Sequence, residues 1–245
     1  MGIGRARRAV CALLILALLL TLAGCGGAKA AQLRTGRKLM KAYLSGLGGG
    51  AALESGYVEV LRPDADKLVA TDFVKGLFRA GGETYEYAVN TVTGGIYTSE
   101  RFAEFAACCA AQALSRLGLD ADDCVTVCGM TLYAQPWQTP RSEWPWERSC
   151  LGQVLPADTA DMDGYVSRAL ADEDVRVQLF IACRADELRE GRWNADTLSD
   201  WKSVEVRLFG FAPDEPLPTA ETFPKDYFYA ADRPCITLNE TGIIY

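Results

Sequence analysis

The sequence contains no histidine. That gap removes Ser-His-Asp and Cys-His nucleophilic catalysis, the commonest metal ligand, and the side chain that ordinarily titrates near neutrality. Basic residues are outnumbered, 25 against 32 acidic ones, for a net charge of −7. An acidic balance opposes nucleic-acid binding, which is built on neutralised phosphates. The leading apolar run, Ala9 to Leu20, falls short of the roughly 20 residues that a bilayer-spanning helix needs. Two ligand-binding motifs are incomplete. Gly48-Gly49-Gly50 lacks the Lys-Ser/Thr of a phosphate-binding loop. Asp161-x-Asp163-Gly164, aligned by its glycine on a calcium loop, puts Thr159 at the first ligand position and Leu170 where a bidentate glutamate belongs. These residues give no reason to expect a metal or a cofactor, and Asp161 and Asp163 read instead as capping residues of a following helix.

What the chain does have begins at its first residues. Arg5, Arg7 and Arg8 precede the apolar run, and small residues lead from it to Cys25. This is the order of a secretory signal peptide, whose positive end stays on the cytoplasmic side. Leu22-Ala23-Gly24-Cys25 resembles the lipobox of bacterial lipoprotein signal peptides at all four positions, over residues 1–25 only. The resemblance implies that Cys25 is the lipid attachment point, that residues 1–24 are removed, and that palmitate-like acyl chains hold the mature protein on the extracytoplasmic face of the bacterial cell membrane. Each buried CH₂ contributes about 0.8 kcal/mol, so two or three chains anchor where one would not. Residues 25–33 are expected to form a flexible lipidated tether, rich in glycine and alanine, and 34–245 an extracytoplasmic domain. Losing the three arginines of the leader takes the mature charge to −10. Electrostatics is therefore not expected to draw the protein to anionic lipid, and the acyl chains are left to anchor it alone.

The periodicity of residues 34–245 predicts α+β architecture, an antiparallel or mixed sheet containing a β-meander, with helices packed on one face. Leu39, Met40, Tyr43 and Leu44 share a helical face that ends at the glycines after Leu47. A strand from Tyr57 to Leu61 is expected to stop before Pro63. Phe73 to Arg79 and Thr84 to Asn90 flank Gly81-Gly82, the signature of a tight hairpin, and Ile96-Tyr97-Thr98 completes the meander. The turn in VNTVTGGIYTS is similar to one in small secreted modules such as PepSY domains, a likeness confined to that hairpin. Ser99 is placed as the N-cap of a helix reaching Leu117, and its stripe of Phe102, Phe105, Ala106, Cys109, Ala113 and Leu117 is expected to cover the meander. Further strands are expected at Cys124–Tyr133, Val175–Ala182 and Ser203–Phe211. Helices are expected at Asp161–Leu170 and, interrupted, at Asp186–Trp201. Two subdomains, 34–134 and 150–245, would be joined by a loop rich in tryptophan and proline.

That loop, QPWQTPRSEWPWERSC, carries the candidate binding residues Trp137, Trp144 and Trp146. Rigid aromatic faces on a long loop suit stacking on a glycan, a peptide or another envelope protein; folding back over a hydrophobic flank is the competing role. Seven cysteines remain besides Cys11 and Cys25, an odd number. Cys124 and Cys128, if on a strand, share a face about 13 Å apart, beyond the reach of a disulfide. Cys109 belongs to the apolar stripe of its helix, so packing is its expected role. Nothing singles out a carboxylate pair, and Glu59, Glu86 and Glu205 read as solvent-facing residues of alternating strands. The function that emerges is a lipid-anchored binding or protein-interaction module of the cell envelope, with membrane contact through its N-terminal lipid and no nucleic acid. The alternative is an exported histidine-free enzyme using carboxylates or a thiol.

Overall fold

The computed structural model describes residues 27–48, 50–64, 67–134, 149–189, 191–223, 234–239 and 242–244. The chain divides into two compact units, Met1–Ile96 with Pro136–Glu147, and Tyr97–Gln135 with Arg148–Tyr245. Residues 97–134 therefore fold with the C-terminal half.

The first unit opens with helix α1, residues 27–47, which starts inside the segment expected to be a flexible tether. Ala28, Lys29, Ala30 and Ala31 are strong helix formers and extend the periodicity of Leu33, Met40 and Leu44 backwards by two turns. Gly48, with φ of 70°, follows its last turn. Met40 and Leu44 are buried against Val74, Phe78, Tyr87 and Val89. Those four residues come from a hairpin of β3 (Lys67–Ala80) and β4 (Glu83–Asn90), registered from Phe73 opposite Asn90 to Ala80 opposite Glu83. Its two-residue turn, Gly81 and Gly82, has φ of 60° and 92°, as a twisted hairpin demands. β1 (Ala52–Leu53) and β2 (Tyr57–Asp64) both pair antiparallel with β3. β2 continues through Pro63 instead of stopping before it, which an edge strand tolerates because no ladder donor is lost on its open side.

The second unit is built on a six-stranded mixed sheet in the order β12-β11-β10-β9-β6-β7. Its strands are β6 (Val125–Ala134), β7 (Ser149–Gly152), β9 (Val175–Arg184), β10 (Val204–Phe211), β11 (Cys235–Asn239) and β12 (Gly242–Ile244). β9 and β10 run parallel and the other neighbours antiparallel. Tyr97 and Thr98 of β5 (Ile96–Thr98) pair with Pro156 and Leu155 of β8 (Leu155–Pro156). The architecture is α+β, as the patterning predicts.

One face of the second sheet presents Met130, Leu132, Val175, Val177, Leu179, Ile181, Val206 and Leu208, all buried. Helices α2 (Phe102–Leu117) and α3 (Met162–Leu170) pack there, α2 on β6 and on α3, and α3 on β9. The stripe of α2 is thus buried within this unit, while α1 covers the hairpin of the other. The opposite face collects Val125, Val127, Phe180, Ala182, Phe209, Phe211 and Phe223. The two ends of α2 follow different rules. Its start is at Phe102 with Arg101 as N-cap, so Ser99 lies one turn outside, its carbonyl accepting from the amide of Phe102 at 3.0 Å. Its end is Gly118, left-handed at φ 63°, as expected. Asp161 caps α3 by accepting from the Gly164 amide at 3.0 Å. Between Asp186 and Trp201 the expected interrupted helix reduces to short turns at Ala185–Glu187 and Ala195–Leu198, because Gly191 turns the chain at φ 77° and Asn194 starts a new capping box. Among the described residues no helix is long and apolar enough to cross a membrane.

Candidate functional site

Cys25, Trp137, Trp144 and Trp146 lie outside the described residues. The two tryptophans of the 186–201 segment are placed, and both are structural. Trp193 is buried and donates from Nε1 to the Leu117 carbonyl at 3.0 Å, while Arg192 stacks 5.2 Å from its ring centroid and donates to the Gly118 carbonyl at 2.8 Å. Both groups satisfy carbonyls that a helix C-terminus leaves unpaired. Arg116, in the last turn of α2, lies 4.7 Å over Trp201 and forms a bidentate pair with Asp200. Arg192 also lines a polar hollow with Glu187, Arg189 and Gly191.

The candidate carboxylates are engaged. Glu59 is 8 % exposed rather than solvent-facing, because a register shift between Val58 and Val60 turns it inward. There it pairs with Lys75 and accepts from the Thr71 hydroxyl at 3.0 Å. Glu205 is half-buried and bound by Arg207 Nε at 2.7 Å, and only Glu86 is exposed. Among the described residues no group of three or more Cys, Asp or Glu side chains is placed to hold a metal ion.

The cysteines form a pattern that their spacing hides. Cys124, extended at φ −131° and ψ 148°, precedes β6 directly, and Cys128 lies within that strand on the helix-covered face with Met130. They do not approach one another, as their separation along a strand requires. Each has another partner. Cys109, fully buried in the stripe of α2, rests against the Cys128 thiol; that contact and burial push it far above the ordinary thiol range. The antiparallel ladder ends at Val125 opposite Ala182, and Cys124 and Cys183, the buried penultimate residue of β9, are the next residues beyond that pair on the two chains. Burial and the nearby Asp123 and Asp120 push Cys124 up to about 11, and burial pushes Cys183 up to about 12. Cys108 lies in the groove between α2 and α3 with Gln112, Ser115 and Asp163, its thiol raised by burial and by the Asp163 carboxyl. Such thiols are poor nucleophiles at neutral pH, since the thiolate is the reactive species. No sequence signal announces these pairs, because a partner 59 residues away becomes visible only once the strand register is known.

No family model matches the chain, nor does any curated protein or solved structure. The remaining evidence for function is the molecule's own charge distribution. α1 carries Lys29, Arg34, Arg37, Lys38 and Lys41, all exposed, and no acidic residue. The last four recur at helical spacing and form one exposed stripe, with Arg37 bordering the buried face of Met40 and Leu44. The rest of residues 25–245 then carries −15. The acidity that argued against anionic surfaces is therefore segregated from the helix that follows Cys25.

Proposed function

We propose that this protein is a lipid-anchored binding module on the extracytoplasmic face of the bacterial cell membrane. In this reading Cys25 carries the acyl chains, α1 lies along the membrane surface with its basic stripe toward anionic headgroups, and Trp137, Trp144 and Trp146 contact a partner protein, peptide or glycan of the envelope. The observation that carries it is the succession, within the first 41 residues, of a cationic then apolar leader, a sequence matching the lipobox at all four positions, and a helix beginning two residues after Cys25 whose exposed basic residues run from Lys29 to Lys41. Acyl chains and a polybasic segment reinforce one another in membrane attachment, each basic residue near an anionic surface contributing about 1 kcal/mol. The raised thiols and the paired Glu59 and Glu205 favour this reading over an enzyme using a thiolate or a free carboxylate pair.

The test is metabolic labelling with radioactive palmitate in a bacterial host, followed by membrane fractionation. The wild-type chain is expected to take up label and sediment with membranes; Cys25→Ser is expected to lose both. Label retained by Cys25→Ser would place the lipid elsewhere and sink the anchor. Crosslinking in intact cells tests the binding half: the adducts of the wild-type chain should disappear when Trp137, Trp144 and Trp146 are replaced by Ala. Adducts unchanged by that replacement would remove the loop from the proposal.

A further inference from the structure

We propose that Cys109 with Cys128 and Cys124 with Cys183 are two dithiol pairs that close into disulfides by exchange with a disulfide oxidant, fastening α2 and β9 to β6. The geometry is given by the backbone. Directly opposed residues of an antiparallel pair have Cα atoms about 4.5–5.5 Å apart, within the range a disulfide spans. Cys124 and Cys183 follow the last opposed pair, Val125 and Ala182, and Cys124 keeps an extended backbone, so one further step of the ladder brings them opposite. Cys109 is held over β6 by the packing of α2 on that strand, and its neighbour Cys128 shares the helix-covered face with Met130 and Leu132. None of the four cysteines is joined in a disulfide in this structure. The odd count is accommodated as well, since Cys108, Cys150 and Cys235 lie outside the two proposed pairs.

The reaction balances without any group from the protein beyond its thiols. In each pair the half-buried cysteine, Cys124 or Cys128, is the entry thiol, and the buried one, Cys183 or Cys109, resolves. The entry thiolate attacks one sulfur of the oxidant RSSR, forming a mixed disulfide and expelling RS⁻. The second thiolate then attacks the protein sulfur of that mixed disulfide, closing the intramolecular bond and expelling the other RS⁻. Both leaving thiolates take up the protons released by the protein thiols, so RSSR is reduced by two electrons to two RSH for each disulfide formed. An exported chain meets such oxidants in its compartment; the chemistry itself requires only the disulfide.

The experiment uses the mature chain and oxidised glutathione at mildly alkaline pH, an acid quench, alkylation in denaturant without reduction, and tryptic mapping. Trypsin cuts after Arg101, Arg116, Arg141, Arg176 and Arg184, so both pairs together give one assembly of three peptides, 102–116, 117–141 and 177–184. The oxidised chain is expected to lose about 4 Da, about 2 Da per disulfide, with Cys108, Cys150 and Cys235 alkylated. Cys124→Ala should release peptide 177–184 alone, Cys128→Ala should release 102–116 alone, and Cys108→Ser should leave the assembly whole. The two alanine variants change half-buried positions, so each can be compared with the folded parent. The proposal is overturned if all four cysteines are alkylated after oxidation, if stable glutathione adducts persist on Cys124 or Cys128, or if Cys108→Ser breaks the link to 102–116.

Discussion

Cys124, Cys183 and Tyr165 each hold a proton more tightly in the folded chain than an exposed thiol or phenol would, in every case chiefly through burial. Their folded values, about 11 for Cys124 and about 12 for Cys183 and Tyr165, lie above the ordinary thiol value of 9.0 and phenol value of 10.0. Above pH 9 the unfolded chain therefore binds fewer protons than the folded one, and stability falls as pH rises. The stability these groups contribute is fully present below about pH 9 and is lost as pH climbs through 11 and 12. Urea midpoints measured on the reduced protein should be flat from pH 7 to about 8.5 and decline steeply above it, with Cys124→Ala giving a shallower decline; midpoints that stay level to pH 11 would contradict the burial of these groups. At this scale the sequence was partly legible. Periodicity assigns Cys109 to the core, where it is fully buried. Glu59 was misplaced by the same reasoning, because strict alternation has no way to anticipate a bulge at Val58 and Val60.

Helix α1 meets the sheet through Gly36, where an added Cβ would stand 2.6 Å from the Val74 Cβ and 2.7 and 3.0 Å from its two methyl groups. Replacing Gly36 by Ala gains up to about 1 kcal/mol of helix propensity, but overpacking of this kind costs typically 1–3 kcal/mol, and Val74 is completely buried with nowhere to retreat. The clash should win. Gly36→Ala is expected to lower the unfolding free energy by roughly 1–2 kcal/mol, and the double variant with Val74→Ala to be less destabilised than the sum of the single changes, since removing those methyls relieves the contact. Additive losses in urea unfolding would show that α1 does not sit on Val74. Elements with a strong local signal were readable in advance: the Gly81-Gly82 hairpin, the αL end of α2 and the Asp161-capped α3. Those decided by distant partners were not. Arg192 and Trp193 are drawn to the carbonyls of Leu117 and Gly118, and that demand overrides the helical pattern of 186–201. Likewise the stripe of α2 was visible, whereas the choice of β6 and α3 as its cover depends on topology that periodicity does not encode.

Taken as a whole, residues 25–245 are strongly asymmetric in charge along the sequence, with five basic and no acidic residues on α1 and a net −15 elsewhere. A net charge of −10 hides this, which is why composition pointed away from anionic lipid while α1 carries only basic charge. Attraction of the basic stripe acts within a Debye length, about 10 Å at 0.1 M salt and 30 Å at 0.01 M, and lower salt also extends the reach of repulsion from the acidic remainder. On the proposed reading, close contact of α1 with the surface would let the stripe dominate. The unacylated Cys25→Ser chain should therefore sediment with vesicles rich in phosphatidylglycerol in moderate salt, be released as salt is raised, and ignore neutral phosphatidylcholine vesicles. Changing Arg34, Arg37, Lys38 and Lys41 together to Gln should abolish that binding while the urea midpoint stays close to that of the parent, because all four are exposed and the helix keeps its apolar face. Acylated protein carrying the same four changes should still sediment with both kinds of vesicle through its lipid chains. Equal binding of the unacylated parent to neutral and anionic vesicles, or binding unaffected by the four changes, would leave the acyl chains as the sole anchor.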